Sequence, residues 1–239
     1  MTSSPLKPKP SLAPKPRHAS ERLYGRAKGK PLSPTQIQLM EQLYPKIEID
    51  VSEMGAPLNG LSEFKEVWFE IGFGGSEHLI WKAKHAPDCA VLGAEPFLNG
   101  VCKAVTQVDA QDLKNVRLYL GDARRVLELL PDGCLDKVFV LFPDPWPKAR
   151  HNKRRIITDD FVTEMYRVLK PEGKFRFASD IISYVDWALV RIHNHGGFTY
   201  PHKASSDWRA RPEDWPSTRY LEKALREGRA GHFFEFIKA

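Results

Sequence analysis

From Val67 onward the sequence alternates short apolar runs with stretches of helical spacing, and this alternation restricts the fold more than any other feature. "VWFEIGF" ends in glycines and leads into "SEHLIWKAKHA", whose apolar residues recur at helical spacing. "CAVLGAEP" predicts a second strand, followed by a helix across Leu98–Val108; "VRLYLGD" and "LDKVFVLF" predict strands three and four. In "DDFVTEMYRVLKPEGK", Phe161, Val162, Met165, Val168 and Leu169 share one helical face, and Pro171 and Gly173 end the helix. "KFRFASD" predicts a fifth strand and a helix follows around Tyr184–His193. "FTYPHK" and "HFFEFIK" predict a last pair, antiparallel to the rest. Such alternation implies an α/β fold with a doubly wound, mostly parallel, seven-stranded sheet. A length of 239 residues suits one such domain, expected over 35–239, and is short for two.

Charge sharpens the picture because it is unevenly spread. Residues 1–34 carry eight Lys/Arg against one Glu, which leaves 28 basic and 29 acidic side chains for the rest. That segment, rich in proline and poor in apolar residues, cannot build a core and is expected to be a disordered or polyproline-like tail. A second basic element, Lys148–Arg155, lies inside the body. Two basic elements on a near-neutral body suggest a polyanionic partner. No run of about 18 apolar residues predicts a membrane span, and the N-terminus has no apolar signal core. Cys89, Cys102 and Cys134 are widely spaced, with no CxxC, so neither a zinc site nor any other metal is expected, and a reducing cytoplasm is.

In a doubly wound sheet, ligands bind beyond the C-terminal ends of the strands. Those ends carry Glu70, Glu95, Asp122, Asp144 and Asp180, a carboxylate on each of five strands. After strand one, Gly72 and Gly74 permit close backbone approach to a ligand. Glu95, some twenty residues on, stands where a ribose-binding acid belongs. A nicotinamide dehydrogenase shares these two features, and a plain glycine turn shares the first. Two details favour S-adenosylmethionine. Glu70 would repel a pyrophosphate but suits a sulfonium and an ammonium group, and "GDA" (Gly121, Asp122, Ala123) offers an acid for an adenine amino group.

Strand four runs into "FPDPWPKARHNKRR" (Phe142–Arg155), where prolines fix an acid beside an aromatic residue and five cations follow. The corner around Asp144 is similar to that of methyltransferases acting on nucleobase amines, and a rigid corner supplies in-line geometry. Cations beside a base-gripping corner would hold phosphates, which makes the polyanion the substrate. The other readings of the same residues are a structural turn and a solvated charged face.

With these motifs placed, the chain resembles the bacterial tRNA (guanine-N7-)-methyltransferase family from roughly Leu23 to its end. "FPDPWPKARHNKRR" carries the resemblance most specifically, supported by "FEIGFG", "GAEPFLNGV", "NVRLYLGDA" and "ASDIISY". The resemblance implies a Rossmann-like class I methyltransferase fold, S-adenosylmethionine as donor, and methylation of guanine N7 in the tRNA variable loop (position 46). It implies Glu70, Glu95, Asp122 and Asp144 as cofactor contacts and Asp144 as the catalytic residue. It also implies Arg150, His151, Asn152, Lys153, Arg154 and Arg155 as the RNA-contacting segment, and Lys148 and Asp180 as substrate contacts. A last motif, Thr218, Arg219, Tyr220 and then a glutamate, departs here: Leu221 takes the fourth place and Glu222 follows. On a helix that rotates the carboxylate by about 100°. Ser76 replaces a third glycine and is expected to cap the following helix. Pro147 replaces a common histidine.

N7 of guanine is a lone pair without a proton, so no general base is required. Asp144 is expected to orient the base and stabilise the charge that develops on it. Amino-group methylation of RNA or DNA is the alternative chemistry, and a tRNA-binding protein weak or inactive in catalysis is the alternative class. The sequence leaves monomer and homodimer equally open.

Overall fold

A computed structural model of the chain describes residues 29–239; the expected basic tail lies almost wholly outside them. Only its end is described: the Gly29 N–H donates to Asn99 Oδ1 at 2.6 Å, and Asn99 Nδ2 donates to the Lys30 carbonyl at 2.8 Å. Helix α1 (Pro34–Gln42) starts at Ser33, whose hydroxyl accepts from the Gln36 N–H while the Gln36 side chain accepts from the Ser33 N–H. This reciprocal cap fixes the start of α1.

A short helix α2 (Tyr44–Ile47) follows, then β1 (Glu66–Ile71), α3 (Glu77–His85), β2 (Cys89–Ala94), α4 (Leu98–Ala110) and β3 (Val116–Tyr119). Next come α5 (Ala123–Leu129), β4 (Leu135–Leu141), α6 (Asp159–Val168), β5 (Leu169–Ser179) and α7 (Ile182–His195). The chain ends with β6 (Phe198–Thr199), α8 (Ser205–Arg209), α9 (Arg219–Arg226) and β7 (His232–Lys238). The seven strands lie in the order β3-β2-β1-β4-β5-β7-β6; β7 runs antiparallel to both β5 and β6, and the other pairs are parallel. The expectation of a last pair antiparallel to the rest is thus corrected: β7 alone is reversed, and β6 runs with the parallel strands.

Both faces of the parallel strands are covered, which is why they read as nearly unbroken apolar runs. Along β1, Phe69 and Ile71 join the core under α5, α6 and α7, while Trp68 faces the core under α1, α3 and α4. Each large apolar side chain withdrawn this way contributes roughly 1.5–3 kcal/mol before conformational entropy is counted. The expected stop at Pro171 and Gly173 is not where α6 ends. The helix closes at Val168, and β5 begins at once, pairing Leu169 with Leu135 and then Lys174 with Lys137. The proline and glycine sit in the bulge between those pairs, where the missing donor of proline is tolerated.

The chain steps outward from β1 to β2 to β3, then returns to place β4 on the other side of β1. A crevice opens where the strand order reverses, beyond the C-terminal ends of β1 and β4.

Candidate active site

That crevice is a cleft of about 570 Å³. Its β1 and β2 side is made by Ile71, Gly72, Gly74, Ala94, Glu95 and Pro96, and Asp122 and Ala123 extend it. Gly72 and Gly74 have φ of +72° and +52°, a region costly for any side chain with a Cβ. A Cβ on Gly74 would also meet the Tyr220 ring at 2.8 Å. Glu95 is 7% exposed and stitches the turn together: Oε2 accepts from the Gly74 N–H at 2.8 Å and Oε1 from the Phe97 N–H at 2.9 Å. Burial raises its carboxyl above the usual range, and these two backbone bonds oppose the rise. Asp122 caps α5, its Oδ1 accepting from the Arg124 N–H at 3.0 Å, and pairs with the Arg124 guanidinium.

These residues fit S-adenosylmethionine. The glycine turn leaves room for a ligand against bare backbone, and the Glu95 carboxylate keeps lone pairs for vicinal hydroxyls. None of the cleft residues from β1 and β2 or their turns is basic, as a cationic ligand requires and a pyrophosphate would not.

The opposite side is the β4 corner: Phe142, Pro143, Asp144 and Trp146, with Lys153, Arg154, Arg155 and Ile156 behind it. Phe142 and Trp146 have φ of +49° and +41°, left-handed conformations that cost about 1–3 kcal/mol each and persist only where the surroundings impose them. Asp144 is open to solvent on one side, and burial against the cleft wall on the other raises its carboxyl above the ordinary value. Tyr220, from the start of α9, closes the rim; burial, then the charges of Glu95 and Asp144, raise its phenol, so it stays a neutral donor.

The basic run divides in two. Lys148, Arg150 and Lys153 are exposed, and His151, Asn152 and Arg154 are half-buried. The Arg154 guanidinium lies 4.9 Å from the Trp146 ring centroid, and His151 meets the same ring edge-on at 5.9 Å. Arg155 is 5% exposed and points inward, donating to the Pro145 carbonyl at 2.8 Å and the Ser183 carbonyl at 3.2 Å. Against the expectation that this residue touches RNA, the structure turns its Nε and Nη1 into the protein.

Several other expected positions lie outside the cleft lining. Glu70, on the Trp68 face of β1, is 3% exposed, and its carboxylate accepts from His78 Nδ1 of α3 at 2.7 Å. Asp180 takes a hydrogen bond from Arg229 at 2.7 Å. Thr218 caps α9 through the Leu221 N–H, and Arg219 pairs with Glu77 at 3.0 Å. Leu221 is corrected as a substrate contact, because it is 5% exposed and packs with Ala178, Trp215 and Phe233. Glu222 takes a hydrogen bond from the Ser217 hydroxyl at 3.3 Å on the exposed side. Ser76 does not cap α3: its hydroxyl donates back to the Gly75 carbonyl, and its φ is +68°.

The sequence did not single out His78, Asp160 on the cleft wall, or the network that seats α9. In that network Asp214, just before the buried Trp215, accepts from Lys82 at 2.7 Å and pairs with Arg176. Burial would raise the Asp214 carboxyl, yet these two donors outweigh it and hold it at about 2. Only the tertiary fold brings positions 82, 176 and 214 together. Among the described residues, no group of three or more metal-ligating side chains forms, and no helix is long and apolar enough to cross a membrane.

The chain is similar to known methyltransferases. Residues 65–233 match a family model described as "Putative methyltransferase". The chain is 47% identical to the tRNA (guanine-N(7)-)-methyltransferase of Caulobacter vibrioides, over 87% of this chain and 91% of that one. With the enzyme of that name from Agrobacterium fabrum it shares 43% identity, over 92% and 96%. The chain belongs to the tRNA (guanine-N(7)-)-methyltransferase family. The 16S rRNA methyltransferase KamB, 15% identical, superposes with a TM-score of 0.54 over 78% of this chain and 93% of that one. This likeness shows that the family's fold here is the Rossmann-like fold of class I methyltransferases.

Proposed function

We propose that the chain, acting as one methyltransferase domain over residues 35–239 in the cytoplasm, methylates N7 of a guanine in the variable loop of tRNA. S-adenosylmethionine supplies an electrophilic methyl group. The Gly72–Gly74 turn, Glu95, Asp122 and Ala123 hold it at the strand ends. The observation that carries the reading is the placement of Asp144: an accessible carboxylate on a backbone-fixed corner, across the cleft from Gly74 and Glu95, with exposed Lys148, Arg150 and Lys153 beside it.

Each feature has a role in that reaction. Exposed cations take tRNA phosphates, a sequence-independent and salt-sensitive attraction. Asp144 accepts hydrogen bonds from the guanine edge and so fixes the direction of the N7 lone pair. N7 carries no proton, and the ring becomes cationic as the bond forms; an ionised carboxylate favours that change over the neutral ground state. No residue has to abstract a proton.

Incubation with methyl-labelled S-adenosylmethionine and unmodified tRNA transcripts, followed by nucleoside analysis, tests the reading. Label is expected as N7-methylguanosine in the variable loop. Label on an exocyclic amine, or none, would overturn it.

A further inference from the structure

Asp144 can act only if its corner keeps a shape the backbone does not favour. Phe142 and Trp146 bracket the corner in left-handed conformations. On the sheet side, the Phe142 N–H donates to the Ala178 carbonyl at 2.8 Å and its ring meets Phe233 edge-on. The far side depends on the peptide unit joining Pro145 to Trp146, because rotating that unit changes the φ of Trp146 and relieves its strain. The same rotation turns the Pro145 carbonyl away from its donor, which is Arg155 Nε at 2.8 Å.

Arg155 is suited to resist this rotation. Its second nitrogen, Nη1, donates to the Ser183 carbonyl at the start of α7. The guanidinium lies 5.1 Å and 5.0 Å from the ring centroids of Tyr184 and Trp187 on the same helix. Tyr184 is fully buried, and Trp187 Nε1 is tied to the Ile157 carbonyl at 2.6 Å, so the platform is rigid. Among the described residues carbonyl oxygens and ring faces, not a carboxylate, receive the charge of Arg155. A planar fork donates in two directions while stacking, which an ammonium group does not reproduce.

We propose that Arg155 is a positioning residue that locks the Pro145–Trp146 peptide and thereby holds Asp144 toward the acceptor, instead of binding tRNA phosphate. The inference rests on the reading of the cleft as a methyltransferase site.

Arg155→Lys and Arg155→Ala separate the two roles. With the peptide lock lost, both variants lower kcat at least tenfold. Their KM for tRNA stays within about twofold, and the salt dependence of tRNA binding is unchanged. 5-Fluorotryptophan labelling gives a readout independent of turnover: of the six tryptophans, the Trp146 resonance broadens or splits in Arg155→Lys while those of tryptophans remote from Arg155 stay in place. Wild-type kcat in Arg155→Lys would overturn the proposal. So would a salt slope reduced by roughly 0.7–0.9, the loss of one phosphate contact, with kcat retained. Loss of the fold in both variants would also overturn it, by making Arg155 a residue of the whole scaffold. A wild-type protein that transfers no methyl group to tRNA would sink the functional reading, and the fluorine spectrum would still decide the clamp.

Discussion

Along β1 and β2 the cleft is built mainly from backbone, whereas along β4 it is built from side chains. On the first side, two left-handed glycines and a buried glutamate that binds backbone N–H groups make the surface. On the second, two bulky residues adopt the backbone region that glycine would fill easily, and Arg155, Phe233 and Ala178 hold them there. A ligand common to a whole fold class can be met by bare backbone. A particular base edge needs a carboxylate on a rigid mount, and the mount has to be braced by groups distant in sequence.

Several substitutions break or sharpen this contrast. The largest effect is expected from Asp144→Asn, which keeps the shape and removes the charge. We expect kcat to fall about 10²–10³-fold, the range for losing one preorganised electrostatic group, with S-adenosylmethionine affinity unchanged by calorimetry. The wild-type rate should fall as pH drops through the raised Asp144 pKa, because the ionised form is the active one; that acid limb therefore starts above the ordinary 3.8 and is absent in the Asn variant.

Gly74→Ala attacks the other side. A Cβ at positive φ, pressed against Tyr220, is expected to cost about 1–2 kcal/mol. That corresponds to roughly a tenfold loss of cofactor affinity, with kcat at saturating cofactor nearly retained. If Gly74→Ala lowered kcat as Asp144→Asn does, the two sides would not be separable.

Arg150→Ala and Lys153→Ala change exposed cations and leave Gly74 and Asp144 in place. Each should weaken tRNA binding about threefold and reduce the salt slope by roughly 0.7–0.9, which filter binding across a salt series would measure.

The smallest effect concerns Asp214. Its folded pKa of about 2 lies below the ordinary 3.8. Its stabilising pair is complete above 3.8 and lost as pH falls toward 2. Denaturant titrations should show that Asp214→Asn loses less stability than wild type across that interval.

These contrasts also explain what could be read from the sequence. The five parallel strands, the antiparallel β7 and the position of Glu95 at a strand end were legible because apolar periodicity and the spacing after a glycine turn are local signals. The direction of β6, only two residues long and running with the parallel strands, was not. The acids at strand ends were legible as positions but not as roles. Glu70 is turned by strand alternation toward α3 and His78, and Asp180 is taken by Arg229. The basic run read as one element because charge is visible in sequence and direction is not; a short 3-10 helix over Ala149–Arg154 delivers Arg155 inward and leaves Lys148, Arg150 and Lys153 outside. Leu221 followed the same pattern: its helical phase, set by the Thr218 cap, points it into the core.

The most direct test of N7 as the acceptor is methyl transfer to a tRNA transcript carrying 7-deazaguanosine at the acceptor position, with binding measured in parallel. That substitution replaces N7 with a carbon and leaves the exocyclic amine and the Watson–Crick edge intact. The account predicts tRNA binding within a few fold of the unmodified transcript and no transfer at that nucleotide. Label incorporated into the deaza nucleotide at the normal rate would contradict it and assign the chemistry to the amine.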